Sequence, residues 1–256
     1  MNDKKYSTIH FVGTGPGDPE LITVKGMRLL QEADCVVYAG SLVRERVLEY
    51  CRENIEVHNS ASMHLEEIMD VMVKAAKANK KVVRLHTGDP SLYGALREQT
   101  EILDKEEIPY DVIPGVSSAF ASAAALKKEL TMPGITQTVI FTRMEGRTPV
   151  PEAERLSSLA VHNATICIFL SINMIENVAS ELLKGYSPET PVAVVYKATW
   201  DDEKKITGTL ADIAKKVVEA GITRHALIIV GKAIGDHADT TSRLYDKDFK
   251  HIYRQK

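Results

Sequence analysis

The sequence predicts an α/β protein built as two α/β domains, and three observations predict it. Short β-rich runs alternate with helical periods along most of the chain, an order that implies mainly parallel sheet with helices on both faces. The 256 residues are 44% hydrophobic and 26% charged, which supplies a real core for one large or two medium domains and too little charge bias for disorder. A turn at Pro114 and Gly115 separates a first strand–helix set from a second. The expected division is therefore residues 1–114 and 115–235, with 236–256 as a C-terminal extension.

The elements follow in order. Strands are expected at residues 8–12, 35–38, 81–85, 110–113, 138–142, 165–170, 192–196, 205–209 and 226–230, each a short apolar or β-branched run. Helices are expected at 21–33, 65–76, 96–105, 117–127, 174–183 and 210–220. The clearest is the stripe Leu65, Ile68, Met69, Met72, Val73 and Ala76, whose i, i+3, i+4 spacing marks a core-facing side. The Ala-rich run SSAFASAAALKK bridges the two halves. The polar, basic tail TSRLYDKDFKHIYRQK is expected to lie on the surface or on a partner subunit.

Composition narrows the function. The formal net charge is −3, without the basic excess usual in a chain whose main partner is nucleic acid. Cys35, Cys51 and Cys167 share no metal-ligand or CxxC spacing, so neither a metal site nor a disulfide framework is expected. The start of the sequence lacks a signal-type apolar run, and no stretch approaches the roughly 18 apolar residues of a membrane helix. These features together point to the cytoplasm.

Five turns at expected strand ends are candidates for chemistry. Gly13-Thr14-Gly15-Pro16-Gly17-Asp18 lets the chain turn tightly and lets backbone approach a ligand. It lacks the third glycine of a dinucleotide fingerprint and the GK[ST] of a phosphate loop. Thr87-Gly88-Asp89-Pro90-Ser91-Leu92-Tyr93-Gly94 ends a central strand, where open α/β sheets bind ligands; Asp89 either accepts from a ligand or caps the next helix. Ile113-Pro114-Gly115-Val116-Ser117-Ser118 opens a helix with two hydroxyls and free N–H groups, suited to a polar ligand or to plain capping. Thr142-Arg143-Met144-Glu145-Gly146-Arg147 offers two forked guanidinium donors. Tyr196-Lys197-Ala198-Thr199-Trp200 carries the only tryptophan, which either stacks on a flat ligand or covers the core.

With these turns in this order, the chain resembles the tetrapyrrole methylase family. FVGTGPGDPELITVKGMRLLQEAD followed by VVY, then HTGDPSLYGA and VIPGVSSA, carry the match, which runs from Thr8 to about Gly231. Within the family, YAGSLVRERVLEY, ASMHLEEI, RLHTGDPSLYGALREQ, TQTVIFTRMEGRTPVPE, VVYKATWDDEKK and SRLYDKDFKHIYR are similar to the branch that methylates C11 of precorrin-4 or cobalt-precorrin-4. The uroporphyrinogen branch has an Asp after its second strand and a Lys after its third. Those places here fall around Ala39 and Gly40 and around Asn59 and Ser60, so that acid/base pair is missing.

The resemblance implies a homodimeric cobalamin-pathway enzyme that takes a methyl group from S-adenosylmethionine, releases S-adenosylhomocysteine, and holds the cofactor in a cleft between two α/β domains. Carried over by position, the cofactor contacts are Pro16, Gly88, Asp89, Leu92, Ser117, Ser118, Leu170 and Ala198. The implied substrate is a large polyanion, so Arg44, Arg84, Arg97, Arg143, Arg147 and Lys197 are candidates to hold its carboxylates. A sulfonium is already a strong electrophile, so alignment in a dry site is the main requirement. His64, His86, Tyr93 and Glu145 are candidates for a helping base. The rival readings are a family member of other regiochemistry or with an RNA substrate, an NAD- or nucleotide-dependent oxidoreductase, and a tetrapyrrole carrier. Asp34 stands at the distance of a ribose ligand, yet the third glycine is absent.

Overall fold

A computed structural model describes residues 5–236. The tail beyond Asp236, with its expected surface role, lies outside the described residues. Contacts divide the chain into two units: Met1–Ala121 with Ala198–Asp201, and Ser122–Lys197 with Asp202–Lys256. The break in these contacts falls inside a helix, between Ala121 and Ser122.

The first unit holds five parallel strands, β1 (Ile9–Gly13), β2 (Cys35–Tyr38), β3 (Glu56–Asn59), β4 (Val82–His86) and β5 (Tyr110–Ile113), in the order β3-β2-β4-β1-β5. Its helices are α1 (Val24–Glu32), α2 (Leu65–Lys77) and α3 (Leu96–Lys105). Alternate strand residues feed two cores. Ile9, Phe11, Cys35, Val37 and Val82 pack with Met69, Met72 and Ala76 of α2. Val12, Val36, Val83 and Leu85 pack with Leu30 of α1 and with Val47 of a 3-10 turn at Glu45–Tyr50. Helices thus cover both faces, as the apolar strand sequences require.

Local chemistry sets the helix ends. Thr23 caps α1 by accepting from the Gly26 N–H at 3.1 Å. Thr23→Ala should lower stability by about 1 kcal/mol, read as a shift in the urea midpoint; an unchanged midpoint would show the cap to be idle. His64 caps α2 in a reciprocal box: its ring accepts from Glu67 N–H, and the Glu67 carboxylate accepts from His64 N–H at 3.0 Å. One strand escapes the sequence pattern. β3 reads EVHN, a short edge strand with one apolar residue, so it carries no hydrophobic alternation to detect.

The second unit departs from the expected parallel architecture. Its strands are β6 (Val139–Arg143), β7 (Thr165–Phe169), β8 (Pro191–Tyr196), β9 (Lys204–Thr209) and β10 (Ala226–Val230), ordered β6-β7-β10-β8-β9. Only β6 and β7 are parallel; the other three pairings are antiparallel. The connection from β8 to β9 is too short for a crossover and returns as a hairpin. Hydrophobic periodicity reports burial and not strand direction, so this reversal leaves no mark in the pattern. α5 (Leu156–Ala160), α6 (Ile175–Leu182) and α7 (Ile213–Glu219) contribute Leu156, Ile175, Val178, Leu182, Ile213 and Val217 to one core, on one face of the sheet. Helix α4 (Ser118–Leu126) begins in the first unit and ends in the second.

Candidate active site

Three glycine turns meet at the carboxyl ends of β1, β4 and β5. The connection from β1 passes to β2 on one side, and that from β4 crosses to β5 on the other, which makes this end the topological switch point of the first sheet. Gly15 and Gly88 exchange backbone hydrogen bonds at 3.3 and 2.8 Å. A Cβ on Gly13 would stand 2.6 Å from the Gly88 carbonyl oxygen and 2.7 Å from Gly115 N. Glycine is needed here for close approach; at Gly88 it is needed for φ of +60°. The direction a Gly88 side chain would take leads to Ser118 N, 3.9 Å away.

Asp89 ties these turns together. Its carboxylate accepts from Gly115 N–H at 2.9 Å and from Ser91 N–H at 2.8 Å. Burial raises its pKa, but the two backbone donors outweigh that and hold the carboxyl below its ordinary range. Of the two sequence readings, ligand acceptor or cap, the structure shows a backbone tether. Leu92 follows in the same turn, its N–H bonded to Asp89 O. Ser117 accepts from Ala119 N–H at 3.3 Å. The N–H groups of Val116, Ser117 and Ser118 have no protein acceptor among the described residues, leaving open donors at the start of α4.

Beneath the β4 turn lies a buried polar chain. Arg84 is 6% exposed. Its guanidinium donates to Ser60 Oγ at 2.8 Å and to Gln99 Oε1 at 3.3 Å. Ser60 donates to Tyr38 O, and Gln99 to Ala95 O. The partners of Arg84 among the described residues are Ser60 and Gln99, neither a carboxylate, and burial draws its pKa down to about 10. His86 is 7% exposed, and its Nε2 has no hydrogen-bond partner among the described residues. Burial, then the Arg84 charge, pushes its pKa down to about 4. Thr14 of the first glycine turn bonds the His86 carbonyl through both its N–H and its hydroxyl.

The other candidates separate by place. Arg97 lies on the solvent side of α3, paired with Glu101 at 2.6 Å; His64 serves as the α2 cap. Tyr93 takes φ of 54° just beyond the Asp89 turn, and Ala95 follows at 46°. Arg44 sits beside a cavity of about 410 Å³ that also touches Asp18, Tyr50, Thr199 and Asp201. Pro16 and Ala198 are both in the first unit, buried. In the second unit Leu170 follows β7 with φ of 54° and 65% exposure, an unusual state for a leucine. Arg143 donates to Thr148 O and Pro149 O, bracing its own loop, while Glu145 and Arg147 are exposed. Ser171, fully buried, accepts from Met144 N–H at 2.8 Å and anchors that loop. Lys197 pairs with Asp202 at 2.6 Å.

A cluster of Cys35, Glu56 and His58 on neighbouring strands has metal-ligand composition. Lys80 already bonds Glu56 at 2.5 Å, and burial lifts the Cys35 thiol to about 11. A cation is thus in place and the thiolate is disfavoured.

The fold and the site define an α/β protein whose glycine turns and open helix-start donors gather at the carboxyl ends of one parallel sheet. The chain belongs to the tetrapyrrole (corrin/porphyrin) methylases, whose family model matches residues 8–214. It is 59% identical over 245 residues to the cobalt-precorrin-4 C(11)-methyltransferase of Methanocaldococcus jannaschii, covering 95% of each chain. The crystal structure of a cobalamin biosynthetic enzyme, cobalt precorrin-4 methyltransferase CbiF, superposes with a TM-score of 0.87 at 48% identity, covering 90% of this chain and 96% of that one. A Thermus thermophilus uroporphyrin-III C-methyltransferase solved with S-adenosyl homocysteine aligns at a TM-score of 0.74 and 30% identity, covering 89% of this chain and 93% of that one.

Proposed function

We infer that this protein is an S-adenosylmethionine-dependent methyltransferase that acts on C11 of precorrin-4 or cobalt-precorrin-4 in cobalamin biosynthesis. The observation that carries the reading is the 59% identity over 95% of the chain to an enzyme of that name. The residues present fit the cofactor. The open N–H groups of Val116, Ser117 and Ser118 could donate to the polar groups of a nucleoside or amino acid, and Gly88 would give backbone access beside them. Pro16, Asp89, Leu92 and Ala198 complete the proposed contacts in the first unit; Leu170 is proposed on the family resemblance alone. The bound cofactor supplies an electrophilic methyl group.

This chain's own residues then have modest tasks. They hold the reacting groups in line and exclude water. Asp89 does so indirectly, by fixing Gly115 and hence the start of α4. Among the arginine and lysine candidates, Arg143, Arg147 and Lys197 remain proposed for substrate carboxylates. Arg84 is engaged within the fold by burial; Arg97, like Arg143 and Lys197, has a protein partner and stays proposed with them. A buried His86 with pKa near 4 is a poor proton acceptor at neutral pH, so Tyr93 and Glu145 remain the candidate bases. Cytoplasmic location, a homodimer, and the division at residues 1–114, 115–235 and 236–256 belong to the same reading and rest on the sequence features and the family resemblance. Among the described residues no helix is long and apolar enough to cross a membrane.

The test is carbon-resolved NMR of the product made from methyl-labelled cofactor. A single label at C11 is expected. A label at another ring carbon would make the protein a sibling enzyme, and no label would overturn methyl transfer. Calorimetry adds a second arm, since tight binding of NAD with none of S-adenosylhomocysteine would favour the oxidoreductase.

A further inference from the structure

The short stretch Ala198–Asp201 joins the first unit although its neighbours in sequence belong to the second. Three consecutive residues of it grip one loop and one arginine. Thr199 Oγ1 accepts from Asp18 N–H at 2.9 Å. The Trp200 indole N–H donates to Pro16 O at 3.0 Å. Asp201 pairs with Arg44 at 2.7 Å, and the Arg44 guanidinium lies 5.0 Å from the Trp200 ring centre. Gly17 leaves room for that ring: a Cβ there would collide with the indole.

We propose that Ala198–Asp201 is a clasp that positions the first glycine loop, and that Arg44 and Trp200 are its positioning residues. The proposal rests on the reading that residues 13–18 help to hold the cofactor. The chain of contact is short. Pro16 O receives the indole N–H, and Gly15, one residue back, exchanges both backbone bonds with Gly88. Movement of Trp200 therefore moves the joint between the two glycine turns.

Two further features point to a built device. Thr199 is β-branched, yet takes φ of +71°, a conformation such residues adopt only when surroundings impose it. Arg44 is 15% exposed in its side chain while Asp201 is 78% exposed. An exposed ion pair contributes little by itself, so the cation–π contact with the indole is what fixes the guanidinium. Arg44 is thus engaged on two sides by the clasp. Its task differs from the substrate-carboxylate role expected from sequence.

The experiment uses the full chain and S-adenosylhomocysteine. Arg44→Ala and Trp200→Phe each remove one fastening, and Arg44→Lys keeps the charge but not the planar, forked guanidinium. Loss of one such contact should weaken S-adenosylhomocysteine about five- to tenfold. The KM for the tetrapyrrole should stay within about twofold, and the double variant should bind about as weakly as either single one. Arg44→Lys should behave like Arg44→Ala. Trp200 is the only tryptophan, so its emission reads the clasp directly. It should shift red and become more open to acrylamide in Arg44→Ala, which circular dichroism must show to be folded.

If the variants bind the thioether as the parent does, the clasp does not position the loop. A raised tetrapyrrole KM with unchanged thioether affinity would return Arg44 to the substrate. Unchanged Trp200 emission in Arg44→Ala would show that Arg44 does not fasten the clasp. A parent protein that binds no S-adenosylhomocysteine would overturn the functional reading, while the emission arm would still decide whether Arg44 holds Trp200.

Discussion

Gly115→Ala is expected to disable the enzyme and to destabilise it together. A Cβ at this position would collide with the Gly88 carbonyl oxygen and stand 2.8 Å from Gly13 Cα. These are backbone atoms, so no rotamer change relieves the clash. The ends of β1, β4 and β5 have to separate, against the hydrogen bonds that join Gly15 to Gly88 and Asp89 to Gly115. Overpacking of this kind costs about 3 kcal/mol. A displacement of ~1 Å among groups that align reactants lowers turnover on the order of a hundredfold. Gly221→Ala provides the control: φ there is +67° with nothing within 4 Å, so it pays only backbone strain of about 1 kcal/mol. Urea melts and single-turnover rates of the two variants decide the matter. A Gly115→Ala protein with parental stability and rate would show that the three turns do not act as one support.

The same turns show how far the residue pattern reaches. Glycines at strand ends, Asp89 after them and hydroxyls before α4 were legible because each answers a local backbone need. Hence the gathering of the three turns at the ends of β1, β4 and β5, where the site is proposed, is legible in the sequence. The roles within it follow less well. Arg84 looks like any other arginine in the string, and only the fold reveals that Ser60 and Gln99 surround it. His64 was a candidate base, yet His64 and Glu67 have the spacing of a capping box. Thr199 and Asp201 give no local signal, since their partners Asp18 and Arg44 are more than 150 residues away. β3 lacks apolar alternation, and the antiparallel pairing of β10 depends on tertiary packing that periodicity does not encode.

His86 should make the protein acid-sensitive in a defined window. The ring is buried and neutral in the folded state, with its pKa pushed down to about 4 by burial and by Arg84. In the unfolded chain it returns to the ordinary value near 6.5. Above pH 6.5 both states hold the neutral ring, so His86 contributes no pH dependence. Between pH 6.5 and 4 the unfolded chain takes up a proton that the folded one refuses, and stability falls by about 1.4 kcal/mol per pH unit. The loss reaches about 3 kcal/mol near pH 4 and then levels off, as the folded ring protonates too. His86→Leu removes the titrating group and the unpartnered Nε2 together. Its stability at pH 7 should match or exceed that of the parent, because a buried polar atom without a partner is itself costly. Urea denaturation stepped from pH 7 to pH 4 should show the two curves diverging as the pH falls, with the parent steeper. Parallel curves would mean that His86 is hydrated or protonated in the folded protein, and would restore it as a candidate base beside the Asp89 turn.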